Sequence, residues 1–407
     1  MRSADFVPPP MVESAPNPAA SLAKARCSAT PWTDGRDDRP HLVHIFPSFT
    51  IGGTQVRFAA LAAALSARFR HTVVSLSGDY SAAALVPPGA PVRYADPAPT
   101  STSLPGRLSL YRAALAELKP DVLLTYNWGA MEVALVNAFG GAPHIHMEDG
   151  FGPEEAARQF VRRIWARRIA LARSHLVVPS LTLQAIATCD WRLDRRHVQH
   201  IPNGVAPQTD YVTSLDSLRP RLPRGVPVIV WAGALRAEKN PLRLLRAFAP
   251  VKEHAVLVLI GEGPERAAIQ QEAARLKLGR HLHLLGRRTD TRDLIMQCQI
   301  LALSSDTEQM PFAVLEAMAA GLPIASTNVG DVRDMVATEN RPFVVPPSDD
   351  ALSDALRALI ADPALRASIG QANRARQREL YTLSTMVEAY GALFDRLSAR
   401  SCARHSR

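Results

Sequence analysis

Two glutamates eight positions apart, Glu308 and Glu316, are the residues of this sequence best suited to chemistry at a binding site. Pro311 between them suits the first position of a helix, because its missing N–H would be unpaired there, and apolar residues follow at helical spacing. Gly321 and Pro323 end that helix. The free N–H groups and the dipole of a helix N-terminus attract anions. The spacing therefore predicts a phosphate site flanked by two carboxylates that can bind hydroxyl groups.

A pair of glutamates at this spacing is by itself more typical of a solvated first helical turn. Here the pair is followed by Ala-Met-Ala-Ala-Gly-Leu-Pro-Ile and, after a strand of small residues, by Asn-Val-Gly-Asp-Val. This combination resembles the signature of the retaining glycosyltransferases of family 4. The resemblance covers residues 42–397 and implies the α/β architecture called GT-B, in which two Rossmann-like domains, each a doubly wound parallel sheet, face a cleft.

Length and composition allow this architecture and argue against membrane-spanning, disulfide-rich and zinc-stabilised proteins. The chain has 407 residues, 47% of them hydrophobic, which is enough for two domains with separate cores. No apolar run is long enough to cross a bilayer. The net charge of +9 favours acidic partners such as nucleotide phosphates, anionic lipids or nucleic acid. Four widely spaced cysteines indicate neither a zinc site nor a disulfide framework, which favours a reducing cytoplasm; they are Cys27, Cys189, Cys298 and Cys402.

Apolar strands alternate with helical segments along most of the chain, a pattern that predicts parallel sheets. Strands of the first domain are predicted at 42–46, 72–76, 121–125, 144–147 and 175–178, helices at 56–69 and 108–118, and the first strand of the second domain at 226–233. The predicted divisions are a disordered Pro- and Ala-rich tail (1–40), an N-terminal acceptor domain (41–205), a linker (206–225), a C-terminal nucleotide-sugar domain (226–380), a C-terminal helix that crosses back to the first domain (381–397) and a frayed tail (398–407).

The first predicted strand runs into a loop with two consecutive glycines, and a helix follows. Gly52 and Gly53 allow the backbone to approach a ligand closely, and the helix behind them offers N–H groups to an anion. Such a turn is equally typical of a simple tight connection. In the resembling family this loop lies under the donor sugar and diphosphate, which implies donor contacts for Gly52, Gly53 and Thr54.

Polar and aromatic residues follow the later strands of the first domain. Tyr126, Asn127 and Trp128 come after one strand and are candidates for acceptor contacts, although such an aromatic pair is as often packing. Family members often carry a histidine just before the glycine that follows the next strand, where this sequence has Asp149. His146 lies three residues earlier, on the strand itself. Both are candidate catalytic residues, although a strand histidine is more often a core residue.

The second domain repeats the order strand, polar loop and helix, with charged residues in the loop. Where the family usually has an arginine and a lysine to neutralise the donor diphosphate, this sequence has Ala234 and Lys239, with Arg236 close by as a donor-binding candidate. A lone loop lysine is usually only solvated, but its placement here favours a phosphate contact. The resemblance implies catalytic roles for Lys239 and Glu308, the latter on sugar hydroxyls, and ribose binding by Glu316. The other implied donor-binding residues are Gly261, Gly286, Arg287, Met310, Phe312 and Ala313.

A helix predicted at 154–175 carries six arginines, from Arg158 to Arg173, interleaved with apolar residues. A surface helix with a charged outer face accounts for this pattern as well as attraction to anionic lipid headgroups does. The second interpretation places the protein in the cytoplasm, peripheral to the inner face of the membrane. No recognition motif accompanies the arginines, and we expect no nucleic-acid partner.

The resemblance implies transfer of a sugar, with retention of its anomeric configuration, from a nucleoside diphosphate sugar to a glycan or lipid-linked acceptor in polysaccharide or glycoconjugate biosynthesis. In this family the leaving phosphate helps to deprotonate the acceptor, so that no enzyme nucleophile is required. The sequence has no Asp-x-Asp pair, and neither a metal nor another cofactor is implied. Two alternatives stay open: a nucleotide-sugar epimerase of the same fold, and a non-catalytic nucleotide-sugar binder in which Ala234 and Asp149 reflect lost activity.

Overall fold

The first domain is built on a parallel sheet of buried apolar strands. The computed structural model describes residues 37–95, 103–155, 158–207, 212–215, 222 and 225–405. Within these ranges the sheet has seven strands, namely β1 (His41–Phe46), β2 (Arg70–Ser75), β3 (Val92–Ala95), β4 (Val122–Tyr126), β5 (His144–Met147), β6 (His175–Val178) and β7 (Val198–His200). Their spatial order is β3-β2-β1-β4-β5-β6-β7. The five strands that the sequence predicted are confirmed within two residues at each end.

Helices cover both faces of this sheet, since each crossover between parallel strands must return over one face. The helices between the described strands are α1 (Gly53–Ala64), α2 (Leu104–Leu118), α3 (Met131–Asn137), α4 (Val161–Ala170) and α5 (Leu181–Cys189). The helix predicted at 56–69 thus begins three residues earlier and ends five residues earlier than expected. The predicted tail at 1–40 lies almost wholly outside the described residues, as does most of the linker at 206–225.

The second domain repeats this design. Its sheet has six strands among the described residues, namely β8 (Val228–Ala232), β9 (Val256–Ile260), β10 (Leu282–Leu284), β11 (Ile300–Leu303), β12 (Ile324–Thr327) and β13 (Val344–Val345), in the order β10-β9-β8-β11-β12-β13. The helices are α6 (Pro241–Phe248), α7 (Arg266–Arg275), α8 (Thr291–Met296), α9 (Phe312–Ala320), α10 (Val332–Met335), α11 (Asp349–Ala361), α12 (Pro363–Leu380) and α13 (Leu383–His405).

Helix α13 joins the two domains physically. Its buried residues Met386, Tyr390 and Phe394 belong to the core of the first domain, where the Phe394 ring meets the edge of Phe69 at 5.7 Å between centroids. The helix continues to His405, whereas the sequence predicted fraying beyond residue 397. Ser398 is buried and donates a hydrogen bond to the Phe394 carbonyl, which carries the helix past the predicted end.

The strand order of each sheet creates a crevice at the carboxyl ends of two neighbouring strands. In the first sheet the crossovers leave in opposite directions from β1 and β4, and in the second from β8 and β11. Ligands of doubly wound folds bind outside such switch points. The loops that enter these two crevices are the ones that follow Phe46, Tyr126, Ala232 and Leu303, and they contain most of the residues selected from the sequence.

Candidate functional site

The loop after β11 holds Glu308 at the carboxyl end of the second sheet. Its Oε1 accepts hydrogen bonds from Lys239 Nζ at 2.6 Å and from Ser305 Oγ at 2.8 Å. Lys239 arrives from the loop after β8, so the switch point itself brings these two residues together. Only 7% of the Glu308 side chain is exposed, against 28% for Lys239. A short, charge-assisted hydrogen bond in a poorly hydrated place holds both groups in fixed positions.

Helix α9 begins one residue later than predicted. Pro311 takes an extended conformation and forms the N-cap, and Phe312 is the first helical residue. The first N–H groups of a helix have no intrahelical acceptor, so those of Phe312 and Ala313 point out of its N-terminus. Gly321 adopts the left-handed conformation at φ 76° and ends the helix as predicted. The result is an anion-binding helix end directly beside Glu308.

Glu316 lies inside α9 in largely apolar surroundings. Although 16% of its side chain stays exposed, burial of the carboxyl raises its pKa to about 7, and the nearby Arg292 guanidinium opposes this rise. Arg292 Nε is 3.9 Å from the Glu316 carboxylate, and this buried nitrogen has no hydrogen-bond partner among the described residues. A ligand hydroxyl here could donate a hydrogen bond to the Glu316 carboxylate, next to a guanidinium nitrogen that has no other acceptor among the described residues. No pattern in the sequence indicated Arg292.

The glycine loop of the first domain faces α9 across the cleft. Gly53 begins α1, and a Cβ atom at this position would lie 2.9 Å from the ring of Phe312. Gly52 is the N-cap of α1 in an extended conformation. Thr54 Oγ1 donates to Asp149 Oδ2 at 2.8 Å. The loop is therefore a close approach between the two domains, and Gly53 is required there by the space that Phe312 occupies.

Asp149 is committed to a buried ion pair. Arg57 on α1, only 2% exposed, donates to both carboxylate oxygens of Asp149 at 2.6 and 2.7 Å and to Asn203 Oδ1 at 2.9 Å. The Asp149 N–H donates to Asn127 Oδ1 at 2.7 Å, and Asn127 takes the left-handed φ of 52° to accept it. Asp149 thus positions the loop after β5 against α1. Arg57, which fixes this arrangement, was missed because a single arginine in an Ala-rich helix carries no signal.

His146 and Tyr126 lie within the protein rather than on a ligand surface, and Trp128, the other aromatic acceptor candidate, is partly buried. His146 is fully buried, with Nδ1 2.7 Å from Thr125 Oγ1 and Nε2 3.6 Å from a Glu148 oxygen. Tyr126 is 1% exposed and hydrogen-bonds to a neighbouring histidine. The Trp128 ring packs under the guanidinium of Arg167 at 5.0 Å. In this conformation His146 and Tyr126 are core residues, and Trp128 packs against Arg167 with part of its surface exposed.

The loop after β8 carries two cations: Lys239, which is paired with Glu308, and Arg236, which is open to solvent. Arg236 is 61% exposed, with its nearest carboxylate, Glu238, at 3.9 Å, so it is free to approach a diphosphate. Gly261 at φ 151° leaves no space for a side chain, since a Cβ atom would lie 1.8 Å from the Gly233 carbonyl. Its N–H donates to the carbonyl of Gly286, itself at φ 70°. Arg287, the next residue, is exposed.

The residues after Glu308 also bridge the domains, which sequence patterns did not indicate. Ser180 Oγ donates to Gln309 Oε1 at 2.9 Å, and Asn203 Nδ2 donates to the Met310 carbonyl at 3.0 Å. Asp331 accepts hydrogen bonds from the N–H and the hydroxyl of Thr182, at 3.1 and 2.6 Å, at the N-terminus of α5. The loop that carries the two glutamates is therefore held from both sides.

Family models match almost the whole of this two-domain unit. The model described as Glycosyltransferase Family 4 matches residues 51–209, and the model described as Glycosyl transferases group 1 matches residues 217–376. The chain belongs to glycosyltransferase family 4. The first match covers the glycine loop and Asp149, and the second covers Lys239, Glu308 and Glu316.

Named relatives and solved structures agree with this family. The chain is 29% identical to D-inositol 3-phosphate glycosyltransferase of Xylanimonas cellulosilytica over 51% of its length and 54% of the relative's. It is 26% identical to UDP-Gal:alpha-D-GlcNAc-diphosphoundecaprenol alpha-1,3-galactosyltransferase of Escherichia coli over 63% and 70%. The structure of Anabaena Alr3699/HepE with UDP and glucose aligns with a TM-score of 0.75 at 18% identity, over 88% of this chain and all of that one. Over several curated relatives, the chain spans only about half of their length. The structural likeness establishes the GT-B fold of this family 4 protein.

A groove of about 510 Å³ opens between the two domains beside Glu308. The second domain contributes the loop around Glu308 and the turn at Gly330, which has φ 52° and packs against the Glu308 carbonyl. The first domain contributes Phe151, Gln159 and apolar residues of α4 and α5. Apolar walls with interspersed amide, hydroxyl and charged groups are typical of a small-molecule site. We call this space the interdomain groove.

The basic segment differs from its prediction. Among the described residues of the helix predicted at 154–175, the α-helix is confined to Val161–Ala170, because Glu154 and Glu155 turn back to bind Arg163. Arg167 is fully buried and pairs with Glu148 at 3.4 Å and with Glu155 at 3.2 Å, while Trp128, Phe151 and Trp191 surround its guanidinium. This burial turns apolar residues outward, and Val161, Trp165 and Ile169 are each more than half exposed.

Two further findings concern metals and membranes. Within the described ranges, no three His, Cys, Asp or Glu side chains come together as a metal-binding group. Among the same residues, no helix combines the length and apolar character that crossing a bilayer requires.

Proposed function

We propose that this family 4 protein transfers a sugar from a nucleoside diphosphate sugar to a hydroxyl group of a glycan or lipid-linked acceptor, with retention of configuration. The observation that carries the proposal is the Lys239–Glu308 pair at 2.6 Å beside the N-terminus of α9, at the switch point of the second sheet. The named complexes of the Anabaena protein with UDP and glucose, and the UDP-Gal in the name of the E. coli relative, support a nucleotide-sugar donor.

Each group has a part in this chemistry. Lys239 and the first N–H groups of α9 would neutralise the diphosphate, which is the largest electrostatic stabilisation that such a site can supply. Arg236, the open cation of the same loop, would add to it where Ala234 replaces the usual arginine. Glu308 would hold sugar hydroxyls, and Glu316 the ribose hydroxyls. The backbone at Gly52, Gly53, Gly261 and Gly286 would line the donor without intruding on it.

The transfer itself needs no protein nucleophile. The bond between the anomeric carbon and the diphosphate oxygen breaks, and its electron pair stays on the phosphate. The acceptor oxygen bonds to the same face of the sugar, and its proton passes to the departing phosphate oxygen. Asp149 would not act as a base here, because both of its carboxylate oxygens accept hydrogen bonds from Arg57.

We assign the acceptor to the interdomain groove and the membrane face to α4. The groove reaches Glu308 and is walled by Val161 and Ile164 of α4, whose neighbours Trp165 and Ile169 are exposed. An apolar strip flanked by arginines suits the surface of an anionic bilayer. The diphosphoundecaprenol in the name of the E. coli relative supports a lipid-linked acceptor. The protein would then work as a peripheral enzyme at the cytoplasmic face of a membrane.

The first experiment is a thermal-shift screen of the purified chain against nucleotide sugars and free nucleoside diphosphates. A ligand at a hundred times its Kd stabilises the folded state by about 2.7 kcal/mol, which raises the melting temperature by several degrees. We expect Glu308→Gln to lose the advantage of the nucleotide sugar over the free diphosphate, and Lys239→Ala to lose both shifts. Glu339→Gln, an exposed glutamate of the same domain, is the control and should behave like wild type.

The same donor then separates the alternatives. A transferase releases the nucleoside diphosphate in proportion to added acceptor, whereas an epimerase changes the donor sugar with no acceptor present. A non-catalytic binder would show the thermal shift but no turnover with any acceptor. An absence of any shift across the panel would contradict the donor assignment itself.

A further inference from the structure

A second cavity, of about 250 Å³, lies in the first domain between the end of α4 and the segment that leads into β7. Its walls are apolar at Leu171 and Leu193. Its charged and polar lining includes Arg168, Arg192 and His197. Two guanidinium groups thus line one small cavity, in a chain segment for which the proposed reaction has no use. We call it the arginine cavity.

No carboxylate in the described part of the chain neutralises the two arginines of the arginine cavity. Among the described residues, neither Arg168 nor Arg192 makes an ion pair or a side-chain hydrogen bond. Asp194, the one carboxylate among the described residues that line the cavity, is already engaged by Arg196, whose Nη2 lies 2.6 Å from Asp194 Oδ2. The cavity therefore keeps an excess of positive charge, with planar donors suited to the oxygens of a phosphate.

The arginine cavity adjoins an exposed apolar surface. The Arg168 guanidinium lies 4.5 Å from the centre of the Trp165 ring, so the same arginine lines the cavity and touches the outward face of α4. Trp165 is 54% exposed and Ile169 is 56% exposed. Tryptophan beside arginine is the combination found where a protein meets the interface of a bilayer. A phosphate that reached this cavity could come attached to an apolar tail.

We propose that the arginine cavity binds the phosphate of an anionic lipid headgroup while Trp165 and Ile169 enter the boundary between headgroups and acyl chains. This inference rests on the peripheral-membrane part of the proposed function and adds a defined headgroup site to it. Arg168 and Arg192 contact the phosphate oxygens. The site is separate from the donor residues, so lipid binding and donor binding are measured independently.

The test is cosedimentation with phosphatidylcholine vesicles that do or do not contain phosphatidylglycerol. We expect binding only to the anionic vesicles and a loss of more than about thirtyfold in partitioning for R168Q/R192Q, since diffuse attraction alone accounts for about fivefold per arginine and direct contacts with the phosphate add to it. The matched variant R162Q/R173Q removes the same charge from the same segment, outside the cavity, and should lose clearly less. R192Q alone, at an exposed position, serves if the double variant fails to fold.

The results distinguish binding of the protein to a membrane from binding of a headgroup in the arginine cavity. Failure of the wild type to bind anionic vesicles would overturn both the membrane face and the headgroup site, while the donor thermal shift would still stand on its own. Equal losses for the two double variants would leave only diffuse attraction and overturn the cavity. Inorganic phosphate that raises the melting temperature of wild type but not of R168Q/R192Q, together with equal vesicle binding by both, would assign the cavity to a free phosphate instead.

Discussion

At the scale of single residues, Asp149 shows how one partner decides what a side chain can do. Its carboxylate neutralises Arg57, which is 2% exposed. We expect Asp149→His to destabilise the fold by about 3–5 kcal/mol, because it leaves a buried charge without its partner. Urea unfolding followed by circular dichroism measures the change.

Two further variants test the reason for that loss. Arg57→Met combined with Asp149→His removes the stranded charge, so this double variant should recover part of the stability. Asp395→His breaks another Arg–Asp pair, the one with Arg68, in which both side chains are about half exposed. This variant should lose far less free energy of unfolding. If Asp149→His unfolds at the same urea concentration as wild type, the ion pair does not stabilise the protein.

Some residues of the site were predictable because their neighbours in sequence define them. Glu308 and Glu316 stand on either side of a helix start, and Lys239 follows a strand at a fixed distance. The role of Asp149 was not predictable, because Arg57 is 92 positions away in the chain. No sequence pattern marks Arg292 or Ser305. Arg292 comes close to Glu316 only because α8 packs against α9, and Ser305 reaches Glu308 only because the loop after β11 curves back.

At the scale of elements, α5 and the turn after β12 hold the two domains together. The carboxylate of Asp331, from the second domain, lies at the N-terminus of α5, where the helix dipole and free N–H groups favour negative charge. We expect Asp331→Asn to lower the free energy of unfolding by about 1 kcal/mol and to widen the distribution of domain separations. Small-angle X-ray scattering of the ligand-free protein reads out the second effect.

Asp362 provides the matched comparison, since its carboxylate caps α12 within a single domain by accepting the Leu365 N–H at 2.9 Å. Asp362→Asn should lose similar stability while leaving the scattering curve unchanged. A scattering curve of Asp331→Asn that superposes on that of wild type would show that other contacts hold the cleft.

Elements with a strong internal period were predictable, and short or tertiary ones were not. Helix α9 follows from its apolar spacing, its proline start and its glycine stop. Strands β3 and β7 were missed because they are edge strands of four and three residues. The arginine-rich segment was predicted as a longer exposed helix because of its many charges. Aromatic rings and carboxylates from elsewhere in the chain instead bury Arg167, and the helix runs from Val161 to Ala170.

At the scale of the whole molecule, buried histidines set the response to acid. Burial lowers the pKa of His41 to about 4, those of His71 and His144 to about 3, and that of His44 well below its usual value. The unfolded chain takes up these protons near pH 6.5 and the folded chain does not, so the histidines destabilise the folded state progressively as pH falls below 6.5. Glu316 opposes them, because its raised pKa stabilises the folded state as pH falls from 7 towards 4.5.

These groups predict a steep net loss of stability in acid. Four histidines against one carboxyl leave a difference of about three protons, which is a slope of about 4 kcal/mol per pH unit between pH 6 and 5. Urea midpoints measured through this range give the slope, and His144→Asn should make it shallower by about a third. His254→Gln, at an exposed position, is the control. A midpoint that stays constant down to pH 5 would mean that these histidines are not held neutral by the fold.

The return of α13 to the first domain also has a consequence for the order in which the chain folds during synthesis. Arg68 and Asp395, which form an ion pair, are 327 residues apart in sequence. Until Met386, Tyr390 and Phe394 leave the ribosome, the apolar surface that they cover, which includes Phe69, stays exposed to water. The first domain is synthesised first yet completes its core last, after the second domain has had time to fold. The nascent first domain is therefore an aggregation-prone intermediate with an exposed apolar surface. We expect chaperones to be needed at this stage.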